Sequence, residues 1–240
     1  MTVSESEAGA TPAFSRRGFL AALPGLAATL NGAPQASILR VAGRAANIEC
    51  ICKRAWGAGP VQGTLVSHEV RRLTVHHSGK ALRDNRRAPS RFRAHQRYHQ
   101  SLGWPDIAYH FLIDRHGHTY KGRPSWARGD TSTDYDPSGH LLILCEGNFG
   151  NQRVSQSQER TLVRVLAWAS GNFDVDPGTI RGHRDFASTT CPGADLYRLI
   201  DGGHLEHRVR KRLRRGVTSK KELCGRAGRR RVAAIERGDA

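Results

Sequence analysis

The chain has 240 residues, enough for one full-sized domain with appendages, and 38% of them are hydrophobic, enough for a packed core. Its net charge of +17 calls for an anionic partner: nucleic acid, an anionic membrane or a phosphate-bearing cell wall. Five cysteines are an odd number, which excludes a fully paired disulfide framework; at least one is free, intermolecular or metal-bound.

Residues 1–36 carry no net charge, with Arg16 and Arg17 against Glu5 and Glu7. They contain Ser15-Arg16-Arg17-Gly18-Phe19-Leu20 followed by an apolar run to Leu30. Paired arginines ahead of a short, moderately apolar segment are the pattern of a twin-arginine export signal. The run is too short to span a bilayer, which needs about 20 helical residues. Residues 1–36 are therefore read as an export signal, cleaved or retained as an anchor, and the protein as secreted or cell-envelope associated. Residues 37–53, rich in Ala, Gly and Arg with one short apolar patch, read as a linker.

Arg72–His77 alternates into β-branched residues and predicts a strand, and the adjacent His76 and His77 must point to opposite faces. At most one of them can join a given site. Pro89-Ser90 starts a helix through Gln100. Ile107–Ile113 predicts a second strand, turned by Arg115-His116-Gly117-His118 into Thr119–Arg123. Trp126–Ser138 reads as a loop along a cleft rim. Its Asp134 and Asp136 fit turn positions better than a carboxylate pair for glycoside chemistry.

His140–Glu146 is almost wholly apolar and predicts a central strand. It places Cys145 as a buried thiol and leaves Glu146 needing solvent, a cation or a site. Ser155 and Gln158 form a capping box for a helix ending by Gly171-Asn172. Ala194–Ile200 predicts a last helix. This order gives an α/β fold: a single domain with a central mixed β-sheet flanked by helices.

Within Gly182–Gly193, GHRDFASTTCPG, His183 and Cys191 are two of the three protein ligands that a catalytic zinc needs. The same cysteine in an exported chain also suits a disulfide. The pair alone does not decide between them; a third ligand, a helper residue and a cleft have to come from elsewhere.

Six motifs in order supply the context. Arg54-Ala55-Trp56-Gly57, VHHS at 75–78, GWPDIAYHFLIDRHG at 103–117, YKGRP at 120–124, EGNF at 146–149 and GHRDFASTTCPG at 182–193 together resemble the peptidoglycan recognition protein and zinc-amidase family. The resemblance covers residues 54–203. It implies that family's fold and hydrolysis of the amide between N-acetylmuramic acid and L-alanine in peptidoglycan, the substrate partner. It also implies a zinc cofactor (Zn2+) held by His76, His183 and Cys191. Tyr109 matches the tyrosine that assists the reaction. Thr189 falls where phage members carry a catalytic lysine and many recognition members carry threonine. Some amidase relatives have a glutamate on the central strand where Leu144 stands here. Glu146, two residues on, has two readings, a substitute base or a sheet-end carboxylate paired with arginine. Asp185 is read as structural. Members that bind wall without cutting it typically lack one or more ligands, so a non-catalytic peptidoglycan-binding module is the alternative.

Residues 204–240 hold thirteen Lys/Arg and four Asp/Glu, a net +9. This basic tail reads either as an electrostatic contact to anionic wall or membrane, or as a solvated extension. Nucleic acid is not expected as a partner, and the protein is expected to be a monomer.

Overall fold

Seven strands form one sheet in the order β6-β2-β5-β3-β4-β1-β7 in a computed structural model that describes residues 48–216 and 219–240. The centre is β2 (Arg72–His77) beside β5 (His140–Cys145), parallel, with Val75 opposite Ile143 and His76 opposite Leu144. Every residue of β5 is buried, as expected of a parallel strand covered on both faces. β3 (Phe111–Ile113) runs parallel to β5 and antiparallel to β4 (Thr119–Lys121). β6 (Arg181–Gly182) lies beside β2.

Period-2 alternation divides the core into two layers. Leu73, Val75, Phe111, Ile113, Leu141 and Ile143 face α2 (Gln156–Phe173), α3 (Ala194–Asp201) and α4 (His204–Leu213). Leu112 and Leu144 face the other way, with Phe92 of α1 (Ala88–Ser101) and with Val232 and Ile235 of α5 (Gly225–Arg237). His76, in register with Leu144, shares this second face.

The expected mixed α/β sheet is what forms, with adjusted boundaries. Of Ile107–Ile113, only Phe111–Ile113 joins the ladder; Asp106 and His99 instead bind the Ile107 and Ala108 amides and hold that stretch as a loop. The Ser155 hydroxyl accepts the Gln158 amide, one half of the expected capping box; the other half is missing because the Gln158 side chain turns to the Ile113 and Glu146 carbonyls. α2 passes through Gly171-Asn172 and stops at Asp174, whose φ of 53° is left-handed. A helix tolerates an interior glycine at a cost of about 1 kcal/mol when its face is otherwise well buried.

Two domain boundaries need correcting. Residues 48–51, read as linker, form β1 (Ile48–Ile51), which pairs with β4 and with β7 (Lys220–Leu223). The tail from residue 204 is part of the packed body. Leu205 and Val209 are buried on α4, Leu223 on β7, and Val232 and Ile235 on α5. Cys52 bonds Cys224 and closes the chain on itself, while Cys50, Cys145 and Cys191 are free and buried. A few apolar residues at helical spacing suffice here because the arginines occupy the outer faces. The export signal lies outside the described residues. Among the described residues, no helix is long and apolar enough to cross a membrane.

Candidate metal centre

Sheet register brings the first two ligands together. Val75 pairs with Gly182 across β2 and β6, so His76 and His183 follow one another at neighbouring strand ends. Their ring centroids are 4.7 Å apart. Cys191 returns through a loop pinned at three points. The Arg184 amide donates to the Cys191 carbonyl (2.9 Å), the Cys191 amide donates to Thr189 Oγ1 (3.2 Å), and the His77 amide donates to Cys191 Sγ (3.4 Å). Gly193, with φ of 85°, is needed beyond it: a Cβ there would sit 2.5 Å from the Phe149 carbonyl carbon and 2.9 Å from His77 Nδ1.

Donor atoms of His76, His183 and Cys191 all lie within 4.8 Å of one another, and Cys191 Sγ is 3.7 Å from His76 Nδ1. All three residues are buried. Burial lowers the pKa of His76 well below its ordinary value, with His183 adding to the effect, and burial also lowers that of His183. Both imidazoles are therefore neutral and offer lone pairs. Burial pushes the Cys191 thiol up to about 12, against the His77 amide and Arg184, so a cation is needed to draw out its thiolate. His76 Nε2 is buried without a hydrogen-bond partner. One sulfur and two neutral nitrogens, with no carboxylate among them, fit zinc.

His76 and His183 open into a cavity of about 960 Å³. Tyr109 and Leu144 line it from the sheet side, Arg91, His95 and Tyr98 from α1 and Arg87 from the turn before it, and Asp130–Ser132 from the rim loop. The Tyr109 ring lies 5.3 Å from that of His76. Burial, helped by Cys191, raises the pKa of its hydroxyl, which keeps it a protonated donor. Lys80 and Arg83 add to the cationic side of the cavity, which suits an anionic ligand.

The other expected residues sit differently. Glu146 is fully buried, and both its oxygens are engaged: Arg91 Nε at 2.8 Å and the Ser78 hydroxyl at 3.0 Å on Oε1, His95 Nε2 at 2.9 Å on Oε2. Of its two readings, these contacts match the paired sheet-end carboxylate and not the free base. Thr189 uses its oxygen on the Cys191 amide and does not line the cavity. Asp185 accepts from the Gly182 amide and the Tyr197 hydroxyl, a structural role within the loop. Asp136 caps the Ser138 amide, a turn position as expected.

One neighbour carried no signal in the sequence. Thr133 Oγ1 is 2.6 Å from His183 Nε2, and its loop is braced where Arg123, itself buried, binds Asp130 Oδ2 (2.5 Å) and the Arg128 carbonyl (2.6 Å). A threonine in an irregular loop has no spacing to betray it. Tyr135, stacked on Phe186, packs 5.2 Å from the His183 ring.

A family profile described as N-acetylmuramoyl-L-alanine amidase matches residues 66–194, more than half of the chain. Mouse peptidoglycan recognition protein 1 is 32% identical over 170 residues, spanning 68% of this chain and 93% of the mouse protein. Human N-acetylmuramoyl-L-alanine amidase is 30% identical over 175 residues, 69% of this chain and 30% of the human one. The crystal structure of Drosophila peptidoglycan recognition protein SD superposes with a TM-score of 0.60 at 27% identity, over 65% of this chain and 94% of that one. With its fold, its candidate His-His-Cys centre and these relatives, the chain belongs to the N-acetylmuramoyl-L-alanine amidase family, in which peptidoglycan recognition proteins are its relatives.

Proposed function

We propose that this protein is a zinc-dependent N-acetylmuramoyl-L-alanine amidase that hydrolyses the amide joining the muramic acid lactyl group to L-alanine. The observation that carries the reading is the buried convergence of His76, His183 and Cys191 beside a large cavity. His76, His183 and Cys191 would hold the metal. Bound there, zinc supplies an open coordination position for water and positive charge against a developing oxyanion.

The chain's own residues do the rest. The two neutral imidazoles add no negative charge, so the single thiolate would leave the centre net positive. Tyr109, a protonated donor 5.3 Å from His76 between ring centroids, is placed to hydrogen-bond the carbonyl oxygen as it gains charge. Lys80, Arg83 and Arg87 orient an anionic muramyl peptide in the cavity. Thr189 orders the ligand loop through the Cys191 amide.

Export by the twin-arginine route, an envelope or secreted location, a monomeric state and contact of the basic C-terminal region with an anionic wall or membrane belong to the same proposal. The second reading, a peptidoglycan-binding module without activity, is favoured by one observation. Leu144, not a carboxylate, lines the cavity beside the ligands.

Digestion of purified wall by the full chain with zinc separates the two. An amidase releases new L-alanine amino groups without new reducing ends. Retention of wall without amine release would leave the binding module, and new reducing ends would mean glycosidase chemistry.

A further inference from the structure

A cluster of cationic side chains lies on the opposite face of the sheet from the cavity. α2 and α4 pack together there, and a groove of about 480 Å³ runs between them. From α2 it receives Arg160 and Arg164, four residues apart and so on one helix face. From α4 and the residues after it come Arg208, Lys211, Arg212 and Arg215, also spaced along one face. These four span about 10 Å of helix, more than a single phosphate can meet. His207 also lines the groove.

Neutral oxygens take the two α2 arginines. Glu159 takes Arg208 and His204, while Arg160 spends its donors on Gln156 and Ser157 and Arg164 on the Thr161 hydroxyl, all neutral. Arg164 is half-buried among like charges, and burial together with Arg212 and Arg160 lowers its pKa. Clustered guanidinium groups facing neutral partners favour a phosphate ligand, which each can meet with two parallel N–H donors.

We propose that the α2–α4 groove binds a flexible polyol-phosphate chain, a polymer of phosphodiesters without bases. Two features select this class. No Phe, Tyr or Trp lines the groove, so it lacks the broad stacking platforms of single-strand binders, and its apolar lining residue is the buried Val163. Among the described residues, the exposed large hydrophobics (Val61, Val66, Tyr98, Leu102 and Trp126) all lie away from α2 and α4, so this face offers no fully exposed apolar side chain to insert into lipid. The groove and the cavity share no lining residue, so this site stands or falls apart from the hydrolytic reading.

The test is binding of the full chain to a poly(glycerol phosphate) oligomer across a salt series. Wild type is compared with a groove variant, Arg160→Gln/Lys211→Gln/Arg215→Gln, in which all three positions are exposed. A control variant of equal charge, Arg226→Gln/Arg229→Gln/Arg230→Gln, changes exposed positions on α5. The groove variant should bind at least about tenfold more weakly and flatten the slope of log K against log salt by about 2, with the control near wild type. Equal losses in both variants would show net charge alone at work and overturn the site. Tighter binding to a single-stranded oligonucleotide or to phosphatidylglycerol vesicles, at equal phosphate, would overturn the ligand class.

Discussion

Two clusters of titratable side chains flank the cavity, and they differ in how completely they are satisfied. Around Glu146 every carboxylate oxygen is met, by Arg91, Ser78 and His95, and the group sits at 0% exposure. Around His76 the bonding is incomplete. Nε2 has no partner, the two imidazoles are held neutral, and the nearby thiol is disfavoured as an anion until a cation arrives. A closed network rigidifies; an open one has valences left for a metal and a substrate. The same comparison separates residues whose loss should cost stability from those whose loss should cost chemistry.

The largest effect is expected at the open cluster. His183→Ala should lose bound zinc and amine release together, the latter falling to background, while thermal unfolding without metal stays close to wild type. Full activity in this variant would remove His183 from the ligand set. Tyr109→Phe should keep stoichiometric zinc and lower kcat by about 10²–10³, the range for losing one oxyanion donor. A change confined to KM would make Tyr109 a binding residue only.

The closed cluster should respond the other way. Glu146→Ala strands Arg91 and His95 and should destabilise the fold by about 3–5 kcal/mol, read by denaturant unfolding, with zinc stoichiometry retained. An unchanged unfolding midpoint with activity abolished would return Glu146 to the catalytic machinery. Cys224→Ser opens the Cys52–Cys224 link across a sequence separation of 172 and should cost about 2–5 kcal/mol.

The smallest effect is a pH dependence spread over buried histidines outside the ligand set. Burial brings His140 down to about 4 and His99 and His110 to about 3. His110 Nδ1 accepts the Leu142 amide, a bond that protonation breaks. Below about pH 6.5 the unfolded chain takes up protons that these sites refuse, so stability is full above pH 6.5 and declines as pH falls toward 4. A Tm lower by roughly 5 °C at pH 4.5 than at pH 7 is expected. A flat profile would mean that these rings protonate in place.

Much of this organisation is legible in the sequence, for reasons that vary by element. β2 and β5 announce themselves through apolar residues in strand-length runs, and α2 through its cap and 3.6-residue period. The candidate ligand triad is readable because two motifs carry it, VHHS with His76 and GHRDFASTTCPG with His183 and Cys191. Parts of the fold that stay hidden are those whose burial depends on partners distant in sequence. β7, KKEL, buries one residue of its four and becomes a strand only by pairing with β1, itself four residues long. α4 and α5 look like a charged tail because arginines outnumber their few buried residues. Glu146 could be read either way because its partners come from α1 and from Ser78, and Thr133 because its contact with His183 is made by a loop.

The most direct test of the central claim measures metal content and amine release on one preparation of the full chain, before chelation, after it, and after zinc is returned. About one zinc per chain is expected, with loss of amine release when the metal is removed and recovery of both on re-addition. Amine release that survives complete removal of zinc would contradict that claim, as would one tightly held zinc per chain with no amine released from wall.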